Sequence, residues 1–461
     1  MSVLAAKLGG IRYDALPDRV VAAAKNMILD NLGCALLGAE SGEPARINRA
    51  LADDSPVSAR VLGARTGPFA ATVANATAIC LTELAEGVGK AVVHPGTVVV
   101  PAVLAAAEWT KADGRTAIAA TVAGYEALIT IGWAAARPAG AAWDDSRGLS
   151  LHRGWYPPAL LGGFGTAAAV AHLLGATEPQ IDASLGTYAN LAPTSMLAAS
   201  QQGSMAKPLS AGLAAAWGGY GATLAVRGFT GLDDPTGHLL PLLVPGCDAE
   251  GVLERVSPGY QIEELDVKFF AVAGPMRTDL ECAYQLRARH AFQPADVRHV
   301  LVETNERAAL LHLTGPRNPG AARFSLRYCV AHALCTGDRA AMTTGDAFTA
   351  DELDRADVAR LADRIDVVVE PEINAAYNEH GARRPSRLTV TLHDGQVFTH
   401  RVEGMKGLRM SPATDDDFAE KFRLLAGRSL PPSRVDEIQR TVAGLEALGD
   451  CGELGDLLLL P

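Results

Sequence analysis

Apolar residues recur at three- and four-residue spacing through much of the chain, as in Val20, Val21, Ala24, Met27, Ile28 and Leu32. That spacing places them on one face of a 3.6-residue helix, and the region up to about residue 262 is predicted to be helical. Gly- and Pro-rich stretches at 41–44, 138–145 and 233–237 separate the helices. Strand-like alternation is almost absent there. The pattern changes near residue 262. Residues 297–304 and 365–371 are β-branched and extended, and alternating runs at 388–392 and 396–402 flank His393-Asp394-Gly395, a hairpin signal. Helices are predicted among these strands at about 276–289, 324–336 and 350–362, and again over 415–449. The fold class is therefore mainly α. A large all-helical domain is built from 1–262 and 404–461, and a smaller α+β domain, 263–403, is inserted between them. Clefts between such domains are where small ligands usually bind.

Composition narrows the picture. With 461 residues, 48% of them hydrophobic, two domains with sizeable cores are expected. The formal net charge of -11 repels a phosphate backbone, which excludes nucleic acid as a partner. A small anionic substrate would need a local cluster of positive charge. Residues 159–176 and 208–226 are long apolar stretches, but they carry His172, Trp217 and Tyr220 and adjoin charged loops. They read as buried helices, since a membrane span needs ~20 clean apolar residues. The seven cysteines are scattered, with no CxxC spacing, and suit reduced thiols packed as small hydrophobes. The first residues lack a charged stretch followed by an apolar run, so no signal peptide is expected. A cytoplasmic protein is the resulting expectation.

No P-loop, no GxGxxG between strand and helix, and no His/Cys/Asp cluster at ligand spacing occurs, so neither nucleotide nor metal is expected. Gly162-Gly163-Phe164-Gly165 has no strand before it, and its glycines are expected to permit close helix packing. What remains is a set of polar residues in apolar, glycine-flanked settings: Glu83 and Glu86 before His94-Pro95-Gly96; His152 and Tyr156 around Arg153-Gly154-Trp155; Gly203-Ser204-Met205-Ala206-Lys207 leading to Ser210; Lys268 and Arg277; and Arg323-Phe324-Ser325-Leu326-Arg327-Tyr328. Each also has an ordinary structural reading. Lys207 could be solvated near a helix start, and His94 could be a satisfied loop histidine. Tyr156 and Tyr328 could be core tyrosines. Glu83 and Glu86 could sit on a surface turn, and Arg277 in a surface ion pair.

Taken in order, these segments resemble the MmgE/PrpD family. Asp30-Asn31-Leu32-Gly33 is similar to its Asp-x-x-Gly. Asn75-Ala76-Thr77-Ala78 with His94-Pro95 is similar to its Asn-Gly-Thr-Ala and His-Pro segments. Gly203–Lys207, then Arg227-Gly228-Phe229-Thr230-Gly231, resembles its lysine helix and the following turn. Arg323–Tyr328 and Lys421-Phe422-Arg423 resemble two later motifs. The resemblance implies a large helical domain, a smaller α+β lid, a homodimer, and activity without cofactor. His94, Lys207, Lys268 and Tyr328 fit the family pattern. Four places depart from it: Glu83 and Glu86 stand where dehydratase-type members carry aspartates, Tyr156 replaces a histidine, Ser210 another histidine, and Ala273 and Arg277 occupy a Cys and a His position.

These residues suit removal of a proton next to a carboxylate, which needs a positioned base and cations to stabilise the enolate. Lys207, Lys268, Arg277 and His94 could supply that field, and the field is expected to raise the share of phenolate at Tyr156. The catalytic set is accordingly Lys207, Tyr156 and His94. Lys268, Arg277, Glu83, Glu86, His152, Ser210 and Tyr328 line the substrate, a small carboxylate. A Tyr156/Lys207 two-base epimerase or isomerase is the leading expectation. A dehydratase- or decarboxylase-type lyase is the alternative, and a catalytically inactive carboxylate-binding dimer a third.

Overall fold

The structure, a computed structural model, describes residues 3–51, 59–61, 64–141, 149–250, 259–311, 315–380 and 383–460. It is mostly helical with a small mixed sheet. Contacts divide the chain into two compact units: 1–197 with 206–265 and 414–461, and 198–205 with 266–413.

The first unit is built on helices Asp18–Ala39, Pro68–Leu81, Pro95–Thr110, Gly114–Ala136, Gly162–Leu173, Glu178–Leu191 and Ala206–Ala225. Helix Gly162–Leu173 packs against both Gly114–Ala136 and Ala206–Ala225, and the last of these also packs on Pro68–Leu81. The contacts run through small residues. A Cβ at Gly165 would sit 2.9 Å from the Leu128 Cβ and 3.0 Å from the Gly124 carbonyl oxygen, and one at Gly163 would overlap the Tyr188 ring. The glycines of 162–165 thus serve helix packing. Asp18–Ala39 and Gly114–Ala136 are long and apolar enough to cross a membrane by length and composition. Their most apolar windows are 78% and 100% buried within the unit, as core helices are. Helix Asp415–Ala426, from the far end of the chain, packs on Asp18–Ala39.

One feature corrects the all-helical expectation for this unit. Strands β1 (Ala59–Val61) and β2 (Ala64–Thr66) pair antiparallel. Three residues are too few to display a two-residue period, so sequence patterning passes over them.

The second unit carries β3 (Val297–Thr304), β4 (Ile365–Val369), β5 (Ser386–Leu392) and β6 (Val397–Val402) in the order β4-β3-β5-β6. β3 and β4 are parallel and the other pairs antiparallel. The Asp394-Gly395 hairpin is present, with Gly395 at φ 91° and the Leu392 amide donating to the Gln396 carbonyl. On β5, Ser386, Leu388, Val390 and Leu392 alternate inward against helix Arg277–Arg289. Two boundaries differ from the prediction. Pro371 begins a helix, Pro371–His380, instead of ending a strand, because proline fits a first helical turn and Glu370 caps it from the Ile373 amide. The predicted helix 350–362 is two, Ala350–Leu353 and Ala356–Ala362. All seven cysteines are unpaired, and five are buried.

Two outcomes follow from this packing. Gly163→Ala is expected to lower the melting temperature, although helix propensity favours Ala by ~1 kcal/mol. The Tyr188 ring cannot retreat: it is fully buried, packs edge-on against Phe164 and donates to the Leu160 carbonyl at 3.0 Å. Overpacking of about 1–3 kcal/mol therefore wins. In the second unit Asp279 is fully buried, with the Ser386 hydroxyl 2.5 Å away, and burial pushes its carboxyl up to about 7. Between about pH 4 and 7 the unfolded chain releases this proton while the folded one holds it, so the group's share of stability falls as pH rises. Asp279→Asn should flatten that slope in melting curves and raise the melting temperature above pH 7.

Candidate active site

Three side chains of the first unit converge. Helix Pro68–Leu81 ends at Thr82, whose hydroxyl donates to the Ile79 carbonyl at 2.8 Å. Glu83 then takes φ 56°, the left-handed region, where a side chain costs roughly 1–2 kcal/mol. The turn presents its carboxylate to Lys207, near the start of helix Ala206–Ala225, and the two form an ion pair. Both side chains are nearly sequestered, at 10% and 7% exposure, which sets aside a solvated Lys207. The Lys207 ammonium also lies 5.4 Å from the centre of the Tyr156 ring, within cation–π range.

Tyr156 is held by its backbone. Its amide donates to the Ser195 carbonyl and the Leu197 amide to the Gly154 carbonyl, each at 2.8 Å, before Pro157 opens a short helix, Pro157–Leu160. Its hydroxyl interacts with the thiol of Cys80, in the last turn of Pro68–Leu81. Burial, reinforced by Cys80, pushes the phenol well above its ordinary range. The expected gain in phenolate is thus reversed: loss of water around the ring outweighs the cation beside it. Ser210 shares a hydrogen bond of 3.0 Å with Ser195 and donates to the Lys207 carbonyl at 2.8 Å, tying the Tyr156 segment to the lysine helix.

His94 immediately precedes helix Pro95–Thr110, with Nδ1 2.8 Å from the Glu86 carbonyl. A carbonyl only accepts, so the proton sits on Nδ1 and proton transfer at this ring would use Nε2. Gly87 allows the approach, since a Cβ there would lie 2.5 Å from Nδ1. The Glu86 carboxylate points inward. It accepts from the Gly96 amide at 2.6 Å, the Tyr125 hydroxyl at 2.8 Å and Asn31 at 2.9 Å. His152, at the end of helix Leu149–His152, is exposed.

The remaining expected site residues belong to the second unit. Lys268 is buried. Arg277, also buried and so not in a surface pair, donates to the Val267 carbonyl at 2.8 Å and the Gly274 carbonyl at 3.1 Å, with Asp266 at 3.8 Å. Burial and the neighbouring Arg384 push its guanidinium down to about 10. Tyr328 donates to the Ala347 carbonyl at 2.6 Å, and burial pushes its phenol up. Among the described residues, no group of three or more His, Cys, Asp or Glu side chains is placed to hold a metal.

Comparison with known proteins decides the lineage. The MmgE/PrpD N-terminal domain matches residues 2–238, and the MmgE/PrpD C-terminal domain matches residues 270–447. The chain belongs to the MmgE/PrpD family. Cis-aconitate decarboxylase of Aspergillus terreus is 28% identical over 97% of this chain and 93% of that protein. The cis-aconitate decarboxylase-like protein oryM of Aspergillus oryzae is 27% identical over 95% and 93%. Human cis-aconitate decarboxylase is 26% identical over 99% and 94%.

This MmgE/PrpD chain also holds polar residues that patterning had left without a role. Lys421 pairs with Asp30 at 2.6 Å, and burial pushes Asp30 up to about 6 against the pull of that lysine. Their signal was local. Asp30 and Asn31 interrupt an apolar helix, and Lys421 shares the face of Phe418, Phe422 and Leu425. Cys80 gave no signal, because a thiol beside a tyrosine is a meeting of distant segments.

The left-handed Glu83 yields a measurable contrast. Glu83→Ala and Glu83→Gly both delete the partner of Lys207. The glycine variant should unfold at higher denaturant, by about 1 kcal/mol, because it alone relieves the backbone cost.

Proposed function

We propose that this chain is a lyase of small polycarboxylates, with decarboxylation of a tricarboxylate such as cis-aconitate the first reaction to try. The observation that carries the reading is the neutral, buried Tyr156 phenol beside the Lys207 ammonium. Loss of carbon dioxide leaves the bonding pair on carbon, delocalised into a remaining carboxylate as an enolate. In this reading Lys207 offsets that charge, Glu83 orients the ammonium, and Tyr156 delivers a proton to carbon. The resulting phenolate regains its proton from solvent. The family relatives named as decarboxylases support the same class.

An isomerase asks more of this geometry. A two-base exchange needs one group to accept the proton and another to return it from the opposite face. Tyr156 and Lys207 lie against each other, and burial opposes the phenolate that abstraction requires.

The test is product analysis with cis-aconitate in heavy water. The expected outcome is release of carbon dioxide with one deuterium in the carbon skeleton of the product. Tyr156→Phe should lower turnover by ~100-fold or more while costing about 1 kcal/mol of stability for the lost hydroxyl bond. Deuterium entering the substrate without loss of carbon dioxide or water would return the assignment to isomerase. Binding without any chemistry would leave a carboxylate-binding protein.

A further inference from the structure

We propose that Lys421 is a positioning residue of this site, setting the segment 82–94 from inside the first unit. Its ammonium is 2.6 Å from Asp30 and donates to the Leu84 carbonyl at 3.2 Å, and both side chains are excluded from water. Leu84 directly follows Glu83. Asn31, next to Asp30, donates to the Met27 carbonyl and to the Glu86 carboxylate, each at 2.9 Å. Glu86 in turn receives the Gly96 amide and the Tyr125 hydroxyl, and its carbonyl meets His94. The turn that carries Glu83 and the histidine that follows it are therefore fixed by one buried network, and Lys421 supplies its only ammonium among these named groups.

Two sequence motifs become one contact here. A Cβ at Gly33 would lie 3.3 Å from the Phe422 ring and 3.4 Å from a Leu425 methyl. Glycine in Asp30-Asn31-Leu32-Gly33 lets helix Asp415–Ala426 seat closely, which brings Lys421 to Asp30. For stability alone such a pair is dispensable, since apolar residues of similar shape often replace a buried ion pair at no cost. What an apolar pair does not replace is the donor to the Leu84 carbonyl, and with it the aim of the Glu83 turn.

The turnover arm of the test rests on the lyase reading, and the exchange arm does not. Lys421→Met and the double variant Asp30→Asn/Lys421→Met are compared with the unaltered chain. The double variant, with neither half of the Asp30–Lys421 pair left unmatched and Glu86 keeping its three hydrogen-bond donors, is expected to melt within a few degrees of the unaltered chain. In both variants amide hydrogen exchange should quicken over residues 82–94 and stay unchanged in helices Gly114–Ala136 and Gly162–Leu173. Turnover of cis-aconitate should drop roughly 10–100-fold with KM changed less than about threefold, the signature of misplaced groups. If the unaltered chain does not turn over cis-aconitate, the lyase reading fails and exchange alone decides. Unaltered exchange over 82–94 in the double variant, or quickening spread through the whole unit, would overturn the positioning role.

Discussion

The close approach of small-residue helices governs the rest of the first unit. Gly218 faces Thr166 and the Gly163 carbonyl, and Gly212 faces the Val73 carbonyl, so helix backbones meet with no room for solvent. An interior of that kind strengthens every electrostatic contact and penalises every unmatched one. Charged groups inside are accordingly matched: Lys207 with Glu83, Lys421 with Asp30, Lys7 with Glu126 at 2.7 Å, Arg137 with Asp248, and Glu86 by three hydrogen-bond donors. The same dryness raises the Tyr156 phenol. Packing by glycine and alanine is thus upstream of the electrostatics at Lys207 and Tyr156.

Seen this way, the exchange of a histidine for Tyr156 has a chemical direction. An imidazole changes charge near neutral pH. A buried phenol stays neutral across that range and remains a donor. In this chain the Lys207 ammonium lies 5.4 Å from the centre of the phenol ring, so under the proposed reaction a fixed cation stands beside a neutral donor. Sequence identity of 26–28% to the relatives named above leaves room for such an exchange within one fold.

Much of this was legible in the chain itself. Long periodic helices, the Asp394-Gly395 hairpin and the alternation along β5 follow from spacing alone, because each depends on neighbours in sequence. Lys207, Tyr156, Glu83 and His94 stood out as polar residues in apolar surroundings, and the structure gathers the first three and sets His94 on the same loop as Glu83. What escaped depended on segments far apart in sequence. The Tyr156–Cys80 contact, the inward turn of Glu86, and the direction in which Tyr156 is shifted all require knowing how much water is lost. Spacing cannot report that. The strand pair β1–β2 escaped for the opposite reason, being too short to have a period.

The Lys421–Leu84 contact spans 337 residues. During synthesis, the loop bearing Glu83 leaves the ribosome on the order of tens of seconds before the lysine that grips it, at typical elongation rates. Through that interval Asp30 and Glu86 lie in an incompletely closed bundle without their ammonium. The loop bearing Glu83 is therefore among the last parts of the first unit to mature, although it lies within the first hundred residues. A nascent chain would carry the signals for most of its helices, and most of its candidate site residues, well before it could hold them in place.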